Sequence, residues 1–184
     1  VTLVGVLLAD ASLYLDDYRA AERTFALLTQ VIGRAGRADR PGLAIIQTNN
    51  PDSDVIRLAC DQDYESFANR ELKLRQMLVF PPFCDIVLIT LASPDEKELM
   101  LASRQLSEML RRFRSNEFSD VAAVIFGPFE APVYRVDGKY RMRMVIKCRL
   151  NKRSRLMFAS ILAEFSKWSA RRTMLSIDFN PSSL

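Results

Sequence analysis

The chain has 184 residues, 49% of them hydrophobic and 26% charged, with 26 Lys/Arg against 22 Asp/Glu for a formal net charge of +4. That composition is globular and excludes disordered, collagen-like and low-complexity classes. The apolar run Val1–Ala9 falls well short of the ~20 residues of a membrane helix, and no basic stretch precedes it to make a secretory signal.

Val1 to Leu8 is a near-continuous apolar stretch, which predicts a strand buried on both faces of a parallel sheet. It ends at Ala9-Asp10, a polar residue at the carboxyl edge where open α/β sheets bind ligands. Asp16 and Asp17 offer N-caps for a helix from about Tyr18 to Arg34, with Ala21, Phe25, Leu28 and Ile32 on one face. Gly33, Gly36 and Pro41-Gly42 end that helix, and Leu43 to Thr48 predicts a second buried strand. Two strands and one helix do not close a doubly wound sheet. Together with a first residue that is Val rather than Met, this suggests a piece of a longer protein.

Pro51 to Val79 reads as helical: a short helix around Val55, Leu58 and Ala59, then a longer one from Asp63. Phe80-Pro81-Pro82-Phe83 breaks it and sets a domain boundary, giving an α/β lobe over 1–79 and a second domain over 80–184. In the second domain Ile86 to Ala92 is strand-like, and Ser93-Pro94-Asp95 starts a helix whose apolar stripe ends at Phe113. Val121 to Pro132 predicts a strand bent at Gly127-Pro128, and Asp137-Gly138 is a strong hairpin turn. Tyr140 to Arg149 is the next strand. Asn151 then caps a helix to about Ala170, with Trp168 at the end of its apolar stripe, and Met174 to Phe179 closes the domain. The expected order is βαββαβ, that of a ferredoxin-like α+β domain.

Charge is divided unevenly between the halves. Residues 1–79 hold 9 Lys/Arg and 11 Asp/Glu, whereas 80–184 hold 17 and 11, so the halves carry −2 and +6. From Arg135 to Arg155 there are nine basic residues and one acid, Asp137. Such clustering fits a polyanion partner or a merely solvated basic face. Alternation along 140–149 puts Tyr140, Met142, Met144, Ile146 and Cys148 on one face, and Arg141, Arg143, Lys147 and Arg149 on the other. The charged face could track a phosphate backbone with Arg135, Lys139 and the ring of Tyr134 nearby, or it could simply block edge pairing.

No histidine is present, which removes the commonest general base and metal ligand. Cys60, Cys84 and Cys148 include no C-x-x-C pair, so neither a zinc knuckle nor a redox motif is supported. Three isolated thiols suit buried structural roles in a reducing, cytoplasmic setting.

The most specific stretch is Gln30-Val-Ile-Gly-Arg-Ala-Gly-Arg37, where two arginines three apart can reach phosphate oxygens through planar forks or form a solvated helix end. It resembles motif VI of superfamily 2 helicases, and Val4-Gly-Val-Leu-Leu-Ala-Asp10 resembles motif V. The surrounding Asp17–Phe25, Leu27–Val31 and Pro81-Pro82-Phe83 segments, with Gly127-Pro128 and Asp178–Pro181, are similar to the PriA family of replication-restart DNA helicases. Leu8 departs from the acidic residue usual in that family's motif V.

The resemblance implies a partial RecA-like second motor lobe followed by a C-terminal DNA- and partner-binding domain. It implies that Gln30, Gly33, Gly5 and Asp10 contact ATP only alongside a first lobe, with Arg34 and Arg37 as arginine-finger candidates. It also implies ATP and Mg in the whole protein, an ATP-dependent 3′-to-5′ helicase, and zinc at cysteines upstream of this chain. This chain alone would hold no cofactor and no metal and would be inactive. Implied partners are branched and single-stranded DNA, single-stranded DNA-binding protein and other primosome proteins, with no membrane. An alternative is a protein-interaction module that docks single-stranded DNA-binding protein without touching DNA.

Overall fold

The computed structural model describes residues 2–35, 42–168 and 172–183, with the side chain of Trp168 outside the description. The chain is mixed α and β and divides into two compact units, one up to Leu78 and one over Val79–Ser182.

In the first unit, strand β1 (Leu3–Val6) pairs in parallel with β2 (Leu43–Ile46), Leu3 opposite Leu43 and Val6 opposite Ile46. Helix α1 (Ala20–Ile32) lies between them in sequence, and α2 (Asp54–Cys60) and α3 (Tyr64–Leu78) follow. Their core is small: Ala9, Phe25, Leu28, Ile56, Ala59 and Phe67, joined at its edge by Val6 and Ile46. Phe25 and Phe67 stack with ring centroids 4.1 Å apart. Arg75 of α3 lies over the Tyr18 ring and pairs with Glu22 of α1 at 2.7 Å and Glu71 at 2.8 Å, tying α3 to α1.

Two expectations change here. The strands are not buried on both faces, since Leu3, Leu43 and Ile45 are more than half exposed, because the helices cover only the Val6 and Ile46 side. Helix α1 is also shorter than the 18–34 expected. Asp17 acts ahead of the helix, its carboxylate accepting the Arg19 N–H at 2.9 Å and its carbonyl accepting the Ala20 N–H, so the first turn starts two residues later. At the far end the Gly33 N–H closes on the Thr29 carbonyl.

The second unit runs β3 (Asp85–Ser93), α4 (Glu96–Ser115), β4 (Ala123–Val136), β5 (Lys139–Cys148), α5 (Lys152–Trp168) and β6 (Met174–Phe179). All four strands form one antiparallel sheet in the order β4-β5-β3-β6. Helix α5 starts just after Asn151, as the sequence marks it, whereas α4 starts at Glu96 and leaves Pro94 outside the helix, a correction set by the Asp95 cap. Asp95 accepts the Glu98 N–H at 3.0 Å, while Asn151 and Ser154 exchange bonds of 2.9 Å in a capping-box arrangement. Asp137 and Gly138, at φ +50 and +76, form the two-residue turn joining β4 to β5.

Alternation in β3 and β5 sends Val87, Ile89 and Leu91, with Met142, Met144 and Ile146, to one side of the sheet. There they meet Leu99, Leu106 and Leu110 of α4 and Met157, Phe158, Ile161 and Phe165 of α5. Among the described residues of this unit, no helix covers the opposite side of the sheet. Cys84 and Cys148 are buried as expected, and burial pushes the Cys148 thiol up to about 11. Cys60 is exposed, a correction, because it closes α2 facing away from that unit's core.

A polar clip fastens the sheet ends. Asp85 accepts the Leu150 N–H at 2.8 Å and the Asn180 side-chain amide at 2.9 Å, and the Asn180 carbonyl oxygen accepts the Ile86 N–H. The Leu150 bond, followed by that from Asn180, outweighs partial burial and holds the Asp85 carboxyl below its usual range. Its stabilisation is therefore complete above the unfolded value of ~3.9 and is lost as pH falls through the lower folded value. Asp85→Ala should cost about 1–3 kcal/mol at pH 7 in urea unfolding, and the gap to the parent should narrow as the parent's carboxyl protonates. A gap independent of pH would remove the charge from this account.

Candidate nucleic-acid interface

The face of the sheet turned away from the helices is set by register. Lys147 stands opposite Ile86 and Val124, Val145 opposite Leu88 and Phe126, Arg143 opposite Thr90 and Phe129, and Arg141 opposite Ala92. Across the far edge, β6 adds Met174, Ser176 and Asp178 to the same face. The alternation expected for 140–149 is present up to Cys148, with Tyr140, Met142, Met144, Ile146 and Cys148 on the core side, while Arg149 lies past the end of the strand, a correction.

The cations on this face differ in exposure. Arg143 is 9% exposed, with its guanidinium 5.3 Å from the centroid of Phe129. Lys147 is half-buried, its ammonium 3.6 Å from the centroid of Phe80 and 5.5 Å from that of Phe126. Burial draws the Lys147 ammonium below its usual range, opposed by the Cys84 thiol. Arg141 is half-buried, and Arg149 is exposed with one nitrogen 3.4 Å from the Pro82 carbonyl it donates to. At the hairpin tip Lys139 is exposed on this face, whereas the exposed Arg135 pairs with Tyr140 and lies over its ring at 4.9 Å, on the helix side.

Tyr134 sits apart from these cations. Its ring is 5.5 Å from Tyr140 against the helix-side core, and its hydroxyl donates to Glu96 of α4 at 2.9 Å. Burial and the Glu96 carboxylate push its phenol up to about 12. Phe126 and Phe129 instead bring rings to the cation face, and sequence reading missed them. The signal was Gly127-Pro128, which shifts the β4 register between Phe126 and Phe129 so that both fall on one side. Gly127 has φ +101, and a Cβ there would meet the Arg143 carbonyl at 2.9 Å and the Phe129 ring at 3.0 Å. Only glycine lets β4 approach β5 this closely while holding Phe129 beside Arg143.

The first unit places its candidates at the carboxyl end of β1 and the end of α1. Asp10 is buried, with one carboxylate oxygen accepting the Thr48 hydroxyl at 3.1 Å and the Asn49 N–H at 3.2 Å. Desolvation opposes its ionisation, but the bonds from Asn49, its own backbone and Thr48 keep its pKa lowered. Asp10 thus binds the β1 and β2 ends together. Gln30, Gly33 and Arg34 are exposed at the end of α1, and Gly5 is exposed in mid-strand with open space where a side chain would stand. Arg37 lies outside the described residues. Among the described residues no three acids or cysteines gather to hold a metal ion, and no helix is long and apolar enough to cross a membrane.

Residues 76–182 match the family model described as the primosomal protein N C-terminal domain. Over 182 residues the chain is 36% identical to the replication restart protein PriA of Bacillus subtilis, covering 98% of this chain and 22% of that protein. It is 33% identical to the protein of the same name from Haemophilus influenzae over 183 residues, 97% of this chain and 24% of that one. For the Treponema pallidum protein the figures are 38% over 145 residues, 79% and 21%. The chain thus spans about a fifth to a quarter of the length of these relatives.

Proposed function

This chain belongs to the PriA family of replication restart proteins, and from that premise we propose that it is the DNA-engaging C-terminal part of a replication-restart helicase. On this reading residues 1–79 complete a RecA-like second motor lobe, and residues 80–184 form a ferredoxin-like domain that holds stalled or branched forks. The observation that carries it is the sheet face away from the helices, where Lys139, Arg141 and Lys147 line strand β5 and the exposed Arg149 follows directly after its last residue. That strand spans about 33 Å at ~3.3 Å per residue, a length over which several phosphates can be contacted. ATP and Mg would act in the whole protein, where Gln30 and Arg34 meet a nucleotide carried on another lobe. Zinc would bind upstream of this chain, and the primosome proteins, single-stranded DNA-binding protein included, would be further partners.

Amide chemical-shift mapping with a forked oligonucleotide tests the assignment. Shifts should concentrate in β4, β5 and the turn between them, with the α4 and α5 amides on the other side little changed. A footprint confined to α4 and α5 would overturn the proposed face.

A further inference from the structure

We propose that the open sheet face is a stacking platform for unpaired bases of single-stranded DNA, with Phe126 the principal ring and Phe129 its neighbour. This rests on the DNA-binding reading above and goes further by naming what the face recognises. Phe126 is 43% exposed although it lies in the body of a strand, opposite Val145 and flanked by Leu88 beyond it. An aromatic ring standing on a sheet face between aliphatic side chains offers a flat apolar surface that water solvates poorly.

Its surroundings carry the charge that a nucleic acid strand needs. Lys147 lies within 5.5 Å of the Phe126 centroid, and Arg143 stands against Phe129 on the next register pair. Arg141 lies along the same strand, and the exposed Arg149 follows directly after its last residue. Among the described residues of this face, Asp178 on the far edge strand is the acid that opposes them. A ring on the edge strand β4 with a row of cations on the adjacent β5 matches a nucleic acid strand whose bases stack on the ring while its phosphates follow β5. Duplex DNA fits it less well, because paired bases keep their faces inside the helix.

Nearly all of the geometry derives from one irregularity. The shift at Gly127-Pro128 places Phe126 and Phe129 on one face, although in an unbroken strand residues three apart would face opposite ways. Arg143 then acts from beneath, its guanidinium packed against Phe129. Arg143 is a positioning residue in this scheme, holding the second ring in place.

The test compares three probes at one salt concentration: a dT strand of about 12 nucleotides, an abasic strand with the same phosphates, and a duplex of equal phosphate number. The parent should bind dT at least about fivefold tighter than the abasic strand, the effect of stacking a base on an aromatic ring. Phe126→Leu should erase that preference while leaving abasic affinity unchanged, and Phe126→Tyr should retain it. Equal preference for dT in Phe126→Leu and the parent would overturn the platform while leaving phosphate binding intact. Loss of abasic affinity with an altered melting curve in Phe126→Leu would decide the matter through Phe126→Tyr, whose failure to prefer dT also overturns it. A parent that binds none of the three probes would remove the DNA-binding reading itself.

Discussion

Replacing Arg37 by Ala in the whole protein should reduce DNA-stimulated ATP turnover by about 10³-fold or more while leaving fork affinity within about threefold. The two effects separate because an arginine finger acts on charge that develops at the transferred phosphoryl group. On the proposed reading, fork affinity rests on other surfaces, including the β5 face. On the same reading Arg34, exposed at the end of α1, is the companion cation, and Arg34→Ala should show a smaller loss. Lys in place of Arg37 should rescue little, because a point charge does not reproduce the bidentate fork. Steady-state ATPase beside an equilibrium fork titration checks this. Near-normal turnover in Arg37→Ala would take Arg37 out of the catalytic step, and collapse in both assays would point to loss of fold.

The second unit was legible where short-range chemistry decides structure. Asp95 and Asn151 cap helices at the positions their side chains mark, and Asp137-Gly138 makes the hairpin its left-handed preference calls for. Period-2 alternation in 140–149 also assigned each β5 side chain to its face. What escaped depends on partners far along the chain. Phe126 and Phe129 join the cation face through the register shift at Gly127-Pro128 and the pairing with β5; the Gly-Pro pair marks a bend, but the face the rings reach depends on β5. For the same reason Tyr134 looked available for stacking, whereas Glu96, 38 residues earlier, holds its hydroxyl.

Exposure in the first unit was misjudged for a related cause. An apolar run reads as buried on both faces, yet β1 and β2 meet helices on one side within this chain. The exposed apolar side of that pair is a surface that short-range pattern alone could not distinguish from core.

Arg143 shows how burial changes the meaning of a charge. Alternation groups it with Arg141, Lys147 and Arg149, but the ring of Phe129 covers it, and at 9% exposure it has little surface to offer a phosphate. Its removal should therefore weaken the fold rather than the ionic part of DNA binding. The exposed or half-exposed cations should behave in the opposite way.

The most direct measurement is a salt titration of DNA binding by the 184-residue chain, comparing the parent with a Lys139→Ala, Arg141→Ala, Arg149→Ala triple variant and with Arg143→Ala. Each phosphate contact releases counterions, so the log–log salt slope should fall in magnitude by about 0.7–0.9 per contact removed, roughly 2–3 for the triple variant. The triple variant should also lose affinity about equally for different sequences, because phosphates carry no base identity. Arg143→Ala should keep the parent's slope while melting at a lower temperature. A triple variant with the parent's slope and affinity would contradict the central claim that this sheet face holds DNA.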